Sequence, residues 1–253
     1  MAKFGANILI TGANRGIGLA FVRYLAKENE VKRIFAGARN PQNAQDLQEL
    51  EKLYPGKISS VQLDVQNDSS IESAYNHVKN VLKDEGLNLL INNAGILEWT
   101  GSSYENADRA TFLRTFDVNT VSSVVVTKAF LPLLSKAVQK KERSVIVNIS
   151  SGLASIKTTA GPYNRGGGIE PNVVYGMSKA AMNYFNRAFG VVEAKNGIIS
   201  VAVAPGWIQT DMGGSNASLT VDESIPEILK TVGNLKIEDS GRFVDRFGQD
   251  VEY

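Results

Sequence analysis

Cysteine is absent from the 253 residues, which excludes disulfides, thiolate catalysis and cysteine-bound metal and leaves the redox compartment open. Histidine occurs once, at His77, and a single imidazole cannot build a metal site. It falls in a helical pattern whose apolar side carries Ile71, Ala74, Tyr75, Val78 and Leu82, so a surface position is expected. An excess of either charge is also missing: 27 basic and 26 acidic side chains leave a net charge of +1, no electrostatic footprint for nucleic acid or an anionic membrane. The expected partner is a small molecule, with neither nucleic acid nor membrane involved. No apolar run reaches the length that spans a bilayer, and the opening MAKFGANILITG lacks the apolar segment of a signal peptide, so a cytoplasmic protein is expected. Internal repeats are lacking, and Gly166-Gly167-Gly168 is the only low-complexity patch.

What is present begins with a 43% hydrophobic composition, enough for a sizeable core, and no linker interrupts the chain, so one domain over residues 1–253 is expected. The organising stretch runs from Ile8 to Ala20. The apolar run Ile8-Leu9-Ile10 passes into Thr11-Gly12, then Gly16 and Gly18, where a helical pattern starts with Leu19, Val22 and Leu25. This is a strand, a glycine-rich turn and a helix: Gly12 for the tight turn, Gly16 for backbone approach to a phosphate, Gly18 for close helix packing, with the helix N-terminus facing the anion.

Strand and helix patterns then alternate. Strands are read at Arg33 to Ala38, Ile58 to Asp64, Leu87 to Asn92, Ser144 to Ser150 and Ile198 to Ala204, each a short apolar run without polar alternation. Between them lie a helix capped by Asn40 with Pro41 at its first position and Ala44, Leu47, Leu50 and Leu53 on one side, a helix starting near Asp68 and Ser69, a long helix from about Ala107 to Lys136, and a helix from Tyr175 to Lys195. The pattern predicts an α/β fold of Rossmann type, a doubly wound parallel sheet flanked by helices. In such a sheet ligands bind beyond the carboxyl ends of the strands, where Thr11 to Gly18, Arg39, Asp64-Val65, Asn92 to Gly95, Ser150-Ser151 and Pro205-Gly206 collect. Tyr175 and Lys179 stand four apart on one helix face, so a phenol and an ammonium share a site, and a nearby cation favours the phenolate.

Taken in order, Thr11-Gly12-Ala13-Asn14-Arg15-Gly16-Ile17-Gly18, Asp64, Asn92-Asn93-Ala94-Gly95, Asn119, Ser151, Tyr175 with Lys179, and Pro205-Gly206 resemble the motifs of the short-chain dehydrogenase/reductase family over nearly the whole chain. The later segments, Gly213 to Ala217, Leu219 to Ser224 and a short last strand around Gly241 to Phe243, look most like the Sniffer-type carbonyl reductases and the related C-factor proteins.

The resemblance implies a carbonyl reductase: hydride transfer between a nicotinamide and a carbonyl carbon, with Tyr175 supplying the proton. It further implies that Lys179 holds the nicotinamide ribose and depresses the tyrosine pKa, that Ser151 bonds the substrate oxygen while Ser150 is structural, and that Asn119 sits at a local distortion of the long helix and anchors a water leading to Lys179. Gly12, Asn14, Arg15, Gly16, Ile17 and Gly18 would form the cofactor turn, Asp64 and Val65 would meet the adenine, and Asn92, Ala94 and Gly95 would line the ribose. Pro205, Gly206 and Ile208 would lie along the nicotinamide carboxamide, and Thr210 would bond a phosphate or the amide. The second strand ends in Arg39, where an acidic residue would select NAD; with Arg15 assisting, Arg39 points to NADP(H).

Ser151 and Tyr175 stand twenty-four positions apart, longer than is usual in the family, the excess lying in TAGPYNRGGGIEPN from Thr159 to Asn172. A substrate-loop insertion at about 152–174 and a substrate lid at about 207–220 are expected. Ile96, Leu97, Trp99, Leu153, Tyr163, Trp207 and Met212 point to a small-molecule carbonyl substrate of hydrophobic character. The apolar set Val121, Val124, Val125, Phe130, Leu131 and Leu134 on the long helix points to a homodimer. The alternative is a catalytically weak dinucleotide-binding sensor or scaffold protein of the same fold. An epimerase of the extended family is disfavoured by Asn92 to Gly95 and the short C-terminal region.

Overall fold

The structure is a computed structural model that describes residues 3–158 and 173–253. The insertion from Thr159 to Asn172, with Tyr163, lies outside the described residues. Seven parallel strands form one sheet: β1 (Asn7–Ile10), β2 (Arg33–Ala38), β3 (Ile58–Gln62), β4 (Leu89–Asn92), β5 (Val145–Ile149), β6 (Ile199–Ala204) and β7 (Phe243–Asp245). Their order across the sheet is β3-β2-β1-β4-β5-β6-β7. The chain therefore works outward from β1 in one direction, jumps back to pair β4 with β1 at Ile8 and Leu89, and continues the other way. That reversal leaves a crevice beyond the ends of β1 and β4.

Alternation along each strand splits the core in two. Ile8, Ile10, Ile34, Val145, Val147, Val201 and Val203 pack on one face against α1 (Gly16–Leu25) and α7 (Val221–Asn234). Leu9, Phe35, Leu90 and Ile146 pack on the other, against α3 (Asp68–Leu82) and α5 (Ser122–Gln139). Both sheet faces are covered, which explains why the strands carry continuous apolar runs.

Several boundaries differ from the sequence reading for local reasons. Asn40 makes no side-chain cap; Pro41–Asn43 is a short 3₁₀ turn, and α2 (Gln45–Leu53) starts after Ala44, with Leu47 buried but Leu53 exposed. The cap of α3 is Asn67, whose Oδ1 accepts from Ser70 N at 2.9 Å. His77 is exposed. The last strand lies two residues later than expected.

The largest departure is in the long helix, which is not uniform. α4 (Arg109–Phe116), opened by Asp108 accepting from Thr111 N at 2.8 Å, runs into a π-helical turn over Asp117–Val121 and then α5. Contrary to the expectation that nothing is long enough to span a bilayer, the 31 residues Arg109–Gln139 reach that length, with a mean hydropathy of 1.5 in their most apolar window. Phe130, Leu133 and Leu134 of this stretch are buried on the sheet, the signature of a core helix.

Candidate active site

The crevice at the reversal is held open by a staple between the ends of β1 and β4. Thr11 Oγ1 accepts from the N–H groups of Asn93 and Ala94, both at 3.0 Å, and Asn93 Nδ2 donates to Thr11 O at 2.9 Å and Gly12 O at 3.1 Å. Gly12 turns at φ +63°, a left-handed conformation that side chains resist, and a Cβ there would lie 3.0 Å from Ala94 Cα. At Gly18 a Cβ would collide with the Gly12 carbonyl and come within 2.6 Å of Asn93 Nδ2, so only glycine lets α1 pack this close. The first turn of α1 has no side-chain cap and no acidic residue, leaving its N–H groups for an anion. Asn14, Gly16 and Ile17 line the cleft at this end.

Asn93, which the sequence reading placed at the crevice without giving it a role, is thus its structural asparagine, and Asn92 is turned away from it. Asn92 Nδ2 donates to Thr127 Oγ1 at 3.0 Å and Asn148 Oδ1 at 2.9 Å in the interior, so it does not line a ribose site as expected. Adjacent residues at a strand end point to opposite sides, so only one of two consecutive asparagines faces the cleft. That alternation was the available signal.

Along the cleft, Arg39 follows β2, exposed and with no ion-pair partner among the described residues. Arg15 behaves differently from expectation: its Nη1 pairs with Asp211 Oδ2 at 2.7 Å across the mouth. Both side chains are largely solvent-exposed, so the pair contributes about 0–1 kcal/mol and is readily displaced. Asp64 spends one oxygen on Gln66 N at 3.1 Å, and Val65 lies beside it on the wall. At the other end, Pro205 and Gly206 leave β6, Ile208 bridges to Leu219, and the segment ties itself through Gln209 N to Leu219 O (2.7 Å) and Trp207 Nε1 to Gly213 O (2.7 Å). Thr210 accepts from Gly213 N at 3.1 Å, and its methyl stands 3.4 Å from where a Cβ on Gly16 would be. The segment 207–220 therefore closes down on the glycine turn.

The chemistry-bearing side chains meet in the middle. Tyr175 is in the first turn of α6 (Val173–Glu193), and its hydroxyl neighbours that of Ser151, whose Oγ accepts from Leu153 N at 3.1 Å. Ser150 Oγ instead donates to Asn183 Oδ1 at 2.7 Å inside the core. Lys179 is buried, donates from Nζ to Ile149 O at 2.8 Å, and lies 5.8 Å from the Tyr175 ring centroid. Asn119 sits in the π turn: Oδ1 accepts from Ile96 N at 2.8 Å, and Nδ2 donates to Ile96 O at 2.9 Å and Ser178 Oγ at 3.0 Å. A Cβ on Gly95 would fall 3.2 Å from Asn119 Oδ1 and 3.5 Å from Lys179 Nζ, so Gly95 is where the two converge.

Burial sets the protonation states. The Tyr175 phenol is pushed up to about 12 by desolvation, which the Ser151 hydrogen bond opposes only in part. Lys179 is pulled down to about 8 by desolvation alone. The expected depression of the tyrosine pKa by the lysine is not what this arrangement gives. The ammonium is drawn to the Ile149 carbonyl, and burial of the phenol dominates.

The cleft encloses about 2150 Å³, well beyond the roughly 300–1,000 Å³ of a site for one small ligand, and has room for a dinucleotide and a second molecule. Ile96, Leu97, Trp99, Leu153, Trp207 and Met212 line its apolar part. No cluster of metal-ligating side chains occurs among the described residues.

A doubly wound sheet with a glycine turn, an uncapped helix end and a Ser–Tyr–Lys group at the reversal defines a nucleotide-dependent oxidoreductase of the short-chain type. The short chain dehydrogenase family model matches residues 6–219, and the chain belongs to that family. A short-chain dehydrogenase of Penicillium roqueforti is 32% identical over 97% of this chain and 96% of its own. Among solved structures, an NADPH-bound carbonyl reductase from chicken fatty liver is 38% identical, with a TM-score of 0.91 over 98% of this chain and 99% of that one. The carbonyl reductase Sniffer of Drosophila melanogaster is 33% identical, with a TM-score of 0.90 over 98% and 100%.

The buried ammonium has a thermodynamic consequence. Lys179 titrates near 8 in the fold and at its ordinary 10.5 when unfolded, so the unfolded chain binds the extra proton. This group therefore destabilises the ligand-free protein by about 3 kcal/mol below pH 8, and the penalty fades as pH rises toward 10.5. Lys179→Met is expected to be more stable than wild type in guanidinium titrations at pH 7, with a margin that narrows between pH 8 and pH 10.5. A margin independent of pH would show that burial of the charge is not its cause.

Proposed function

We propose that the chain reduces an aldehyde or ketone with NADPH, and the neighbouring hydroxyls of Ser151 and Tyr175 beside the buried Lys179 on one cleft carry the reading. The cleft fits the cofactor. The uncapped end of α1 takes the pyrophosphate, Arg39 takes the 2′-phosphate, Asp64 and Val65 flank the adenine, and Ala94 and Gly95 pass under the ribose. Lys179 would hold the nicotinamide ribose, with Pro205, Gly206, Ile208 and Thr210 along the carboxamide side. The bound cofactor supplies a hydride to the carbonyl carbon.

The chain's own part is to hold the carbonyl oxygen and protonate it. Two neighbouring hydroxyls suit an oxygen that gains negative charge, Ser151 by donating a hydrogen bond and Tyr175 by giving up its proton. A phenol with a pKa of about 12 is fully protonated at neutral pH, the form reduction needs. Asn119, whose amide the π turn aims at Ile96 and Ser178, would anchor a water leading to Lys179. A sensor or scaffold that only binds the dinucleotide has no need of Ser151, Tyr175 and Lys179 together on one cleft, which favours turnover.

We also propose a homodimer. Of the apolar set expected to meet a partner, Phe130 and Leu134 face the sheet, a correction to the sequence reading, but Val121 and Val124 are exposed. With Leu113 on α4 and Met177, Tyr184 and Val191 on the adjoining α6, they leave an uncovered apolar face.

Three measurements test these readings. Tyr175→Phe keeps the ring and removes the proton, and turnover of a carbonyl panel is expected to fall ~10²- to 10⁴-fold with NADPH affinity nearly unchanged; near-normal turnover would refute proton donation. Arg39→Asp removes a charge-assisted contact, and in paired titrations the preference for NADPH over NADH should shrink by roughly 10- to 150-fold or reverse. Equal affinities in the wild type would sink the Arg39 assignment. Light scattering coupled to size exclusion is expected to give twice the 27.4 kDa chain mass, and one chain mass across a tenfold dilution would overturn the dimer.

A further inference from the structure

One cation on the cleft wall has no part in the reduction described above. β7 ends in a hairpin turn in which Asp245 N donates to Gln249 O at 2.8 Å and Val251 N returns to Phe243 O at 2.9 Å. Arg246 occupies the corner of that turn, its carbonyl held by Thr231 Oγ1 at 2.8 Å. Its guanidinium lies over the Phe247 ring, 4.2 Å from the centroid, and a Cβ on Gly206 would be 3.4 Å from Nη1. The side chain is half-buried, lines the cleft, and forms no ion pair among the described residues.

Neither neighbouring carboxylate forms an ion pair with it, and each turns one oxygen to its own backbone turn. Asp245 Oδ1 accepts from Phe247 N and Gln249 N, both at 2.9 Å. Glu223 feels the Arg246 charge, but its Oε2 caps α7 by accepting from Thr220 N at 2.7 Å and Thr220 Oγ1 at 2.9 Å. An arginine stacked on an aromatic face keeps its edge N–H groups in plane and free, which is the geometry that receives a carboxylate in bidentate fashion. Gly206 places this edge beside the turn that leaves β6. On the other side Val251 packs with Ala154 and Ala180, which puts the turn next to the loop after Ser151 and the helix of Tyr175.

We propose that Arg246 is a specificity residue that binds an anionic group of the carbonyl substrate, so that the preferred substrate has an apolar body and a carboxylate at the end remote from the carbonyl. This deepens, and rests on, the carbonyl reductase reading. Ile96, Leu97, Leu153 and Met212 receive the body, and Arg246 reads the end.

The test compares benzaldehyde with 4-carboxybenzaldehyde as substrates for wild type and Arg246→Gln, together with benzoate binding followed by quenching of Trp99 and Trp207, both of which line the cleft. The wild type is expected to show a KM about 10- to 100-fold lower for the carboxylated aldehyde. Arg246→Gln should abolish that advantage while kcat, benzaldehyde reduction and NADPH affinity stay within twofold, and benzoate binding should weaken in parallel. Equal KM values in the wild type, a variant that loses both aldehydes alike, or a variant that loses NADPH instead would each overturn the assignment. If neither aldehyde is reduced yet benzoate binding depends on Arg246, the anion site stands and the carbonyl reductase reading fails. Benzoate binding that ignores Arg246 defeats the site whatever the activity.

Discussion

Everything at the cleft depends on how closely α1 approaches the turn that precedes it. Gly18 leaves no room between the helix and the Gly12 carbonyl, and Asn93 closes the remaining space by donating to the carbonyls of Thr11 and Gly12. That contact fixes the direction of α1, and with it where the free N–H groups at its start are aimed. It also ties β4 to β1 at the point where strand order reverses, so the two halves of the sheet open a crevice of defined width. Lys179, reaching from α6 to the end of β5, and Asn119, reaching from the π turn to the loop after β4, are placed against walls that this staple holds.

Much of the fold was legible because apolar runs and glycine positions report on local physics. β2 was read to the residue, and the parallel, doubly covered sheet followed from strands without polar alternation. The ends of elements were harder, since a cap depends on which of several adjacent polar side chains finds a free N–H. Asn67 does so where Asp68 and Ser69 were expected, and Asn40 does not. In the site, Ser151, Tyr175 and Lys179 stand together on one cleft as their motifs implied, and Arg39 lies alone at its rim. The exchange of roles between Asn92 and Asn93 was readable from strand alternation, but two features were not readable in advance: Arg15 is taken by Asp211 nearly two hundred positions away, and the Tyr175 pKa is governed by a degree of burial that no motif states.

Electrostatically the site is built by withholding water. A phenol pushed above its ordinary pKa and a lysine pulled below its own are both consequences of desolvation, and each would relax toward its ordinary pKa in an open cleft. The enclosure that produces them is made by apolar side chains from two loops and from the self-tied segment that leans on Gly16. Packing and protonation are therefore set by the same residues.

The π turn at Asp117–Val121 carries an asymmetry of its own. It amounts to one residue more than a regular helix needs, and at about 100° of rotation per residue that surplus sets the phase of the eighteen residues of α5 that follow. Deleting one residue there would restore regular hydrogen bonding and yet turn Phe130 and Leu134 off the sheet while withdrawing Asn119 from Ile96. A length change that improves the helix would ruin the core and the site together. Insertions and deletions are thus shut out of this stretch by geometry alone, even though each of its residues, taken singly, tolerates a helix.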